Sequence, residues 1–418
     1  MGPAVATSSS SAKRHRVLLV SYNWNAPDSG GRTAFNRQLA ASLAEAGHEV
    51  FARIGQVPLP GTELPDGVTL VAPQSGTSHT KHIGPETRHE QLIADLDTLP
   101  EGIDTVISQG HAYGAAGRFI RENRYPDAAL VHFVHADGYG FGAVTAERPF
   151  GRRVKIRKER EAVAGADLVV GVGPVLADYG RRLATEAGVD THVHEFIPGG
   201  GNHEFSTGNQ ATELIPMYNP EGPYRVLVFG RASDPRKGVW EAARMIRLLR
   251  AEGIDVSLTV RGVPEEKADS TRTLLSATAG HEVTVKPYHR NHAAVLWDMR
   301  ETNLVIMPSF AESFGLVITE ALGAGVPALA PDSSGVGRFL RSRFPSELTE
   351  DMLVEQEYTG LVRPADWAEK IQRQLGDQHG IWRKAGELRE ALIADDTTWL
   401  SETQKLVHTI DNLRRRHE

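Results

Sequence analysis

LVIMPSFAESFGLVITEALGAGVPALA, residues 304–330, decides the fold. It opens on four apolar residues, 304–307, of the length and composition of a buried strand. Pro308 and Ser309 end that run. A polar turn containing glycine follows over residues 310–315. Residues 316–324 read as a helix, which Gly325, Val326 and Pro327 stop. Residues 328–330 begin another apolar segment. Strand, loop, helix, strand is the unit of a parallel α/β sheet. The loop falls at the carboxyl end of its strand, where open α/β sheets bind ligands. Its last residues open a helix, and the first-turn N–H groups of a helix suit an anion such as a diphosphate.

Glu312 and Glu320 frame the loop with seven residues between them. A carboxylate accepts two hydrogen bonds at once, so it suits the paired hydroxyls of a sugar or a ribose. Taken singly, Glu320 is a favourable charge near a helix N-terminus and Glu312 a solvated loop residue. As a pair around Ser313, Phe314, Gly315, Leu316 and Val317, they read as functional.

With 418 residues, two α/β domains are expected rather than one small one. Hydrophobic residues make up 40% and charged residues 24%, the balance of a globular chain. A net charge of −7 gives no reason to expect a nucleic-acid partner. The absence of cysteine excludes disulfides, thiolate metal sites and a cysteine nucleophile, and fits a reducing compartment. No apolar run reaches the length of a transmembrane helix. Basic residues 13–16 precede only four apolar residues, too few for the core of a signal peptide. Residues 1–14 therefore read as a disordered tail, and the expected location is the cytoplasm.

The first strand spans residues 16–21. A turn-rich loop over 22–31 ends in Gly30 and Gly31, and a helix over 33–46 follows, with Phe35, Leu39 and Leu43 at helical spacing. Gly47 caps it ahead of a second strand. The paired glycines form a tight turn or let the backbone approach a bound group closely. G-x-G-x-x-G is absent, so no NAD site is expected. Residues 57–90 show little periodicity, and the spacing of His79, His82 and His89 fits no metal site. Strands are expected over 105–108 and 129–134, with loops at 109–111 and 135–138. His135, at a strand end, is ordinarily a hydrogen-bonded core residue. Residues 148–160 are densely basic and read as a solvated helix face. Attraction of an anionic acceptor or a membrane surface is the alternative, though too few apolar residues are present to insert. A strand over 167–172 and a helix over 175–187 complete this half.

Residues 206–223 suit a linker. A strand over 224–229 leads to Gly230-Arg231-Ala232-Ser233-Asp234-Pro235-Arg236-Lys237-Gly238 and a helix over 239–252. Arg231 and Lys237, at a loop–helix junction, are placed to meet an anion. Further strands are expected over 256–261 and 283–286, with Tyr288 beyond the second. A helix over 293–301 comes before the organising stretch, and an amphipathic helix over 398–413 ends the chain.

The 304–330 stretch resembles the E-x7-E signature of retaining glycosyltransferases of the GT-B fold, most closely family 4. Gly-Arg-x5-Lys-Gly at 230–238 is a second match, and Pro27-x-x-Gly30-Gly31 and Gly47-His48-x-Val50 match the family's first βαβ unit. Residues 196–202 are similar to the family's Ile-Pro-Asn-Gly exit from the first domain, with Gly199 in place of Asn. Residues 333–337 resemble a glycine loop near the donor, but Arg338 and Phe339 stand where the family often has Glu. The resemblance implies an α/β, GT-B fold of two Rossmann-like domains with parallel sheets facing a central cleft. The acceptor domain is expected over 15–205, the linker over 206–223 and the nucleotide-sugar domain over 224–394. The last helix, over 395–418, is expected to cross back to the first domain. It further implies transfer from a nucleotide-diphosphate sugar with retention, without a metal, another cofactor or a covalent nucleophile. Arg231 and Lys237 would neutralise the diphosphate, Glu320 would hold the ribose and Glu312 the sugar. Ser313, Phe314, Gly315, Leu316 and Val317 would touch the donor, Gly30 and Gly31 would approach a bound group, and Tyr288 would lie near the base. His135 would line the cleft. The acceptor stays open, and peripheral membrane contact has no support. A phosphorylase, an epimerase or a catalytically silent sugar-nucleotide-binding module are the alternatives.

Overall fold

Apolar runs such as residues 17–20, 168–172 and 304–306 become strands buried along their whole length, as expected of strands covered on both faces. The computed structural model describes residues 13–24, 30–56, 64–73, 85–144, 149–199, 223–289 and 292–417. The first sheet is built from β1 (Arg16–Val20), β2 (Glu49–Arg53), β3 (Val68–Val71), β4 (Thr105–Gln109), β5 (Ala129–Val134), β6 (Leu168–Val172) and β7 (His192–Phe196), in the order β3-β2-β1-β4-β5-β6-β7. The second holds β8 (Tyr224–Phe229), β9 (Val256–Val263), β10 (Val283–Pro287), β11 (Leu304–Ile306), β12 (Ala328–Pro331) and β13 (Leu353–Val354), in the order β10-β9-β8-β11-β12-β13. Neighbouring strands run parallel, Leu18 facing Val106 in the first sheet and Val226 facing Leu304 in the second.

In each sheet the chain starts in the middle, builds outward to one edge, then returns and builds to the other. That reversal creates a crevice between β1 and β4, and a second between β8 and β11, at the carboxyl ends of the strands. The two loops that carry the strongest sequence signals, after β8 and after β11, flank one of these crevices.

One apolar cluster runs from Val17 and Phe35 in the first half to Phe314 and Val336 in the second. The Phe314 ring lies against Gly173: a Cβ there would stand 2.3 Å from Phe314 Cδ2. Arg338 and Asp178 add an ion pair at 3.5 Å across the same boundary. The helix Trp399–His417 returns to the first half. Trp399 packs on Phe35 at 5.1 Å and on Phe196 at 5.6 Å. Further along, Asp411 faces buried His15 at 3.0 Å, and Arg414 donates to the Asp104 carbonyl at 2.9 Å.

Several details differ from the sequence expectation. Residues 57–90 hold β3 and a helix, Pro85–Ile93. The strand is a short edge and the helix is mostly polar, so neither carries a visible period. The helix Ala268–Ala279 buries only Ala268, Leu275 and Ala279, too few for a clear stripe. Residues 109–111 are not a loop: the helix Gly110–Arg124 begins directly at the end of β4. Residues 333–337 are not an open glycine loop either. Ser334 caps the helix Gly335–Arg343, its Oγ accepting the Gly337 N–H at 3.1 Å. The helix after the first strand starts at Gly30, so the glycine pair forms its first turn. Residues 1–12, 27–29, 79, 82, 148, 200–202 and 206–222 lie outside the described residues.

Candidate functional site

The loop after β8 is organised by Asp234. Its carboxylate accepts the Arg236 backbone N–H at 3.2 Å and both ends of the Arg236 guanidinium fork, at 2.9 and 2.7 Å. Burial pushes this carboxyl up, but the Arg236 hydrogen bonds outweigh that and hold it below its usual range. Arg231 reaches the same carboxylate at 3.5 Å. A single 3-10 turn, Pro235–Lys237, then ends on Gly238 with φ 61°, a left-handed conformation that favours glycine. The Arg236 carbonyl accepts the Phe310 N–H at 2.9 Å, which ties this loop to the one after β11. The result is a contact no local pattern specifies: Lys237 Nζ lies 2.7 Å from Glu312 Oε2, and Ser309 Oγ donates to the same oxygen at 3.3 Å. Both partners keep some exposure, so an arriving anion can compete for the ammonium.

Gly315, with φ 108°, turns the second loop into the helix Leu316–Gly323. A Cβ at Gly315 would stand 2.7 Å from Met307 Cε, so the turn is tight as well as left-handed. No side chain caps this helix, and among the described residues no carbonyl accepts from the Leu316 or Val317 amide. Those donors, with the helix dipole behind them, suit an anion. The neighbouring helix Gly335–Arg343 is spent differently. Its Gly335 and Val336 amides donate to the carbonyls of Glu312 at 3.2 Å and Phe314 at 2.8 Å, which fixes the loop. Glu320 is half-buried one turn into the first of these helices, and Leu316 and Val317 are half-buried beside it. Ser313 and Phe314 are buried. The Phe314 ring is committed to Gly173, so its backbone is what it can offer a donor.

Across the cleft, a Cβ at Gly31 would lie 3.8 Å from Leu316 Cδ1, which sets the glycine pair opposite the helix start. The next residue, Arg32, lies over the Tyr113 ring at 4.8 Å and donates to its hydroxyl at 3.2 Å. His135 bonds Gln109 Oε1 through Nε2 and packs edge-on against Phe35 at 4.9 Å. Burial, then the Arg32 charge, pull its imidazole down to about 3, so the ring is neutral near pH 7. It can offer one donor and one acceptor, not a proton from an imidazolium.

Behind His135 runs a buried chain that sequence reading missed. Ser108 Oγ meets His132 Nδ1 at 2.8 Å, and His132 Nε2 meets Glu159 Oε1 at 2.9 Å. Glu159 Oε2 accepts the His111 backbone N–H at 2.6 Å, at the start of the helix Gly110–Arg124. Burial pushes Glu159 up, but the hydrogen bonds from His111 and His132 overcome it and hold the carboxyl at about 2. Glu159 sits in the basic helix Pro149–Ala164, whose Arg153, Lys155, Arg157 and Lys158 are exposed. An acidic residue on the inner face of a basic helix was the available signal. Arg32, directly after the glycine pair, was another.

Tyr288 stands apart. It is half-exposed at the end of β10, on the sheet edge, with its N–H bonded to the Val263 carbonyl at 3.1 Å. Among the described residues no three His, Asp or Glu side chains are grouped to hold a metal ion. No helix among them is long and apolar enough to cross a membrane.

Residues 18–406 match the model of a family described as "Family 4 Glycosyltransferase in conflict systems". The D-inositol 3-phosphate glycosyltransferase of Arthrobacter sp. (strain FB24) is 28% identical over 370 residues, 84% of this chain and 83% of that protein. Sucrose-phosphate synthase from Thermosynechococcus elongatus superposes with a TM-score of 0.73 at 21% identity, covering 96% of this chain and 99% of that one. Anabaena Alr3699/HepE, solved in complex with UDP and glucose, gives 0.63 at 14% identity, covering 95% and 100%.

Proposed function

The chain belongs to the family 4 glycosyltransferases in conflict systems and has the GT-B fold; from that premise we propose that it moves a sugar from a nucleoside diphosphate sugar to an acceptor hydroxyl, with retention of configuration and without a metal. The observation that carries this reading is the joined pair of loops after β8 and β11. Lys237 touches Glu312 there, Arg231 stands in the same loop as Lys237, and a helix opens uncapped beside them.

In the proposed reaction the acceptor oxygen bonds to the anomeric carbon on the face the diphosphate leaves. The bond from that carbon to the β-phosphate oxygen breaks, its electron pair stays with the diphosphate, and the acceptor proton passes to it. Fixed cations and amides aimed at the departing charge stabilise that transition state more than the ground state. Arg231, Lys237 and the Leu316 and Val317 amides are those groups. Glu320 would hold the ribose, Glu312 the sugar, and Tyr288 the base. His135, held neutral, would line the sugar end from the first domain, where the acceptor belongs.

Turnover is expected to persist unchanged in excess EDTA. Complete loss that Mg²⁺ or Mn²⁺ restores would reject metal independence. The two glutamates separate in a binding titration. Glu320→Gln should weaken free nucleoside diphosphate and whole donor alike, by roughly tenfold, since both carry the ribose and a charge-assisted bond is lost. Glu312→Gln should spare the free nucleotide and impair the whole donor. Equal weakening of bare nucleotide by both changes would invert the assignment, and no effect from either would favour a silent module.

A further inference from the structure

Tyr358 follows the last strand, directly before a residue whose backbone is one that side chains avoid. Thr359 has φ 66°, an outlier for a β-branched residue. It is held there because its N–H donates to the Phe310 carbonyl at 3.1 Å and the Gly360 N–H to the Glu357 carbonyl at 2.8 Å. Just before Thr359, the Tyr358 ring reaches across the cleft to the first domain. A Cβ at Gly140 would lie 2.5 Å from Tyr358 Cε1 and 2.5 Å from Asp137 Oδ2.

The phenol ends among groups that suit a polyhydroxylated ligand. Burial, then the charge of Asp137, push it up, so it stays protonated and can donate. Its hydroxyl lies beside that of Ser313, which is 4% exposed. Beyond each other, neither hydroxyl has a hydrogen-bond partner among the described residues. Buried polar groups are almost always fully bonded, and a pair with no partner beyond each other keeps hydrogen-bonding capacity for a third group. The charged groups that face the phenol are Asp137, Glu312 and Arg338. Asp137 Oδ1 already accepts the Tyr139 N–H at 2.8 Å, Glu312 holds Lys237, and Arg338 is drawn to Asp178. Two carboxylates on this side disfavour an anionic sugar.

We propose that Tyr358 and Ser313 select the transferred sugar, their hydroxyls bonding a hydroxyl of an uncharged hexose while the Tyr358 ring rests on Gly140 of the first domain. This rests on the transferase reading above and names the sugar class that reading leaves open. The helix Gly138–Val144 admits the ring because Gly140 has no side chain.

The test is calorimetric titration of the full chain with UDP, GDP and ADP and with their glucose and glucuronic acid conjugates, then with deoxy analogues of whichever glucose conjugate binds. Tyr358→Phe keeps the ring and removes the hydroxyl. It should bind the free nucleoside diphosphate within about twofold of the parent and the glucose conjugate roughly five- to twentyfold more weakly. It should also stop discriminating against one deoxy analogue, which a purely structural role would not do. Gly140→Ala, with an unchanged melting temperature, should weaken the glucose conjugate in the same way by displacing the ring. Parental affinity for the glucose conjugate and intact deoxy discrimination in Tyr358→Phe would overturn the proposal while leaving the transferase reading in place. So would tighter parental binding of the glucuronic acid conjugate. Failure of the parent to bind any sugar nucleotide would overturn the transferase reading, and this one with it.

Discussion

Lys237→Ala is expected to lower single-turnover transfer by roughly tenfold to a thousandfold with the fold intact, the loss seen when one fixed donor is removed from a developing anion. Two effects add. The departing diphosphate loses a cation, and Glu312 is left without the ammonium that sits 2.7 Å from it. An unpaired carboxylate beside a diphosphate repels it. Arg231→Ala removes a cation but leaves Asp234 satisfied by Arg236, so it should cost less. The order of the two losses is therefore a sharper test than either alone. Rates are compared beside thermal melts, to exclude misfolding. Near-parental turnover in both variants would sink the clamp.

Gly238→Ala is expected to lose stability and site together. Alanine at φ 61° carries the left-handed penalty of roughly 1 kcal/mol. Its Cβ would also stand 1.8 Å from the Pro308 carbonyl oxygen, a backbone atom at the exit of β11 that cannot swing aside. Relief by backbone shifts adds roughly 1–3 kcal/mol, so a total of about 2–4 kcal/mol is expected. The same shift separates Lys237 from Glu312, so nucleotide binding should fail even in the folded fraction. Denaturant midpoints and titration of the folded variant measure the two parts. A stability within about 0.5 kcal/mol of the parent would show that the loop relaxes freely.

What could be read from the sequence was local. The strand, loop and helix of 304–330 follow from an apolar run, a proline, a glycine turn and a helical period, all within a few residues of one another. The same holds for β8 and the loop that ends at Gly238. Elements with little to bury left no such trace: β3 at the sheet edge, and the helix Ala268–Ala279 with only small residues and one leucine inward.

Tertiary structure decided everything that joins distant residues. Lys237 and Glu312 stand 75 positions apart and meet because β8 and β11 are neighbours in a sheet whose order the sequence does not state. Glu159 looks like one acid in a basic run, yet it is buried and pinned because its helix face turns toward His132 and His111. His135 is a histidine at a strand end in either view, and only its packing against Phe35 and the nearby Arg32 charge, both set by the tertiary fold, make it neutral. Tyr358 carries no local signal; its reach to Gly140 depends on how the two sheets come together. Periodicity and turn chemistry act over one turn of chain, whereas desolvation and charge pairing depend on which surfaces packing brings within a few ångströms.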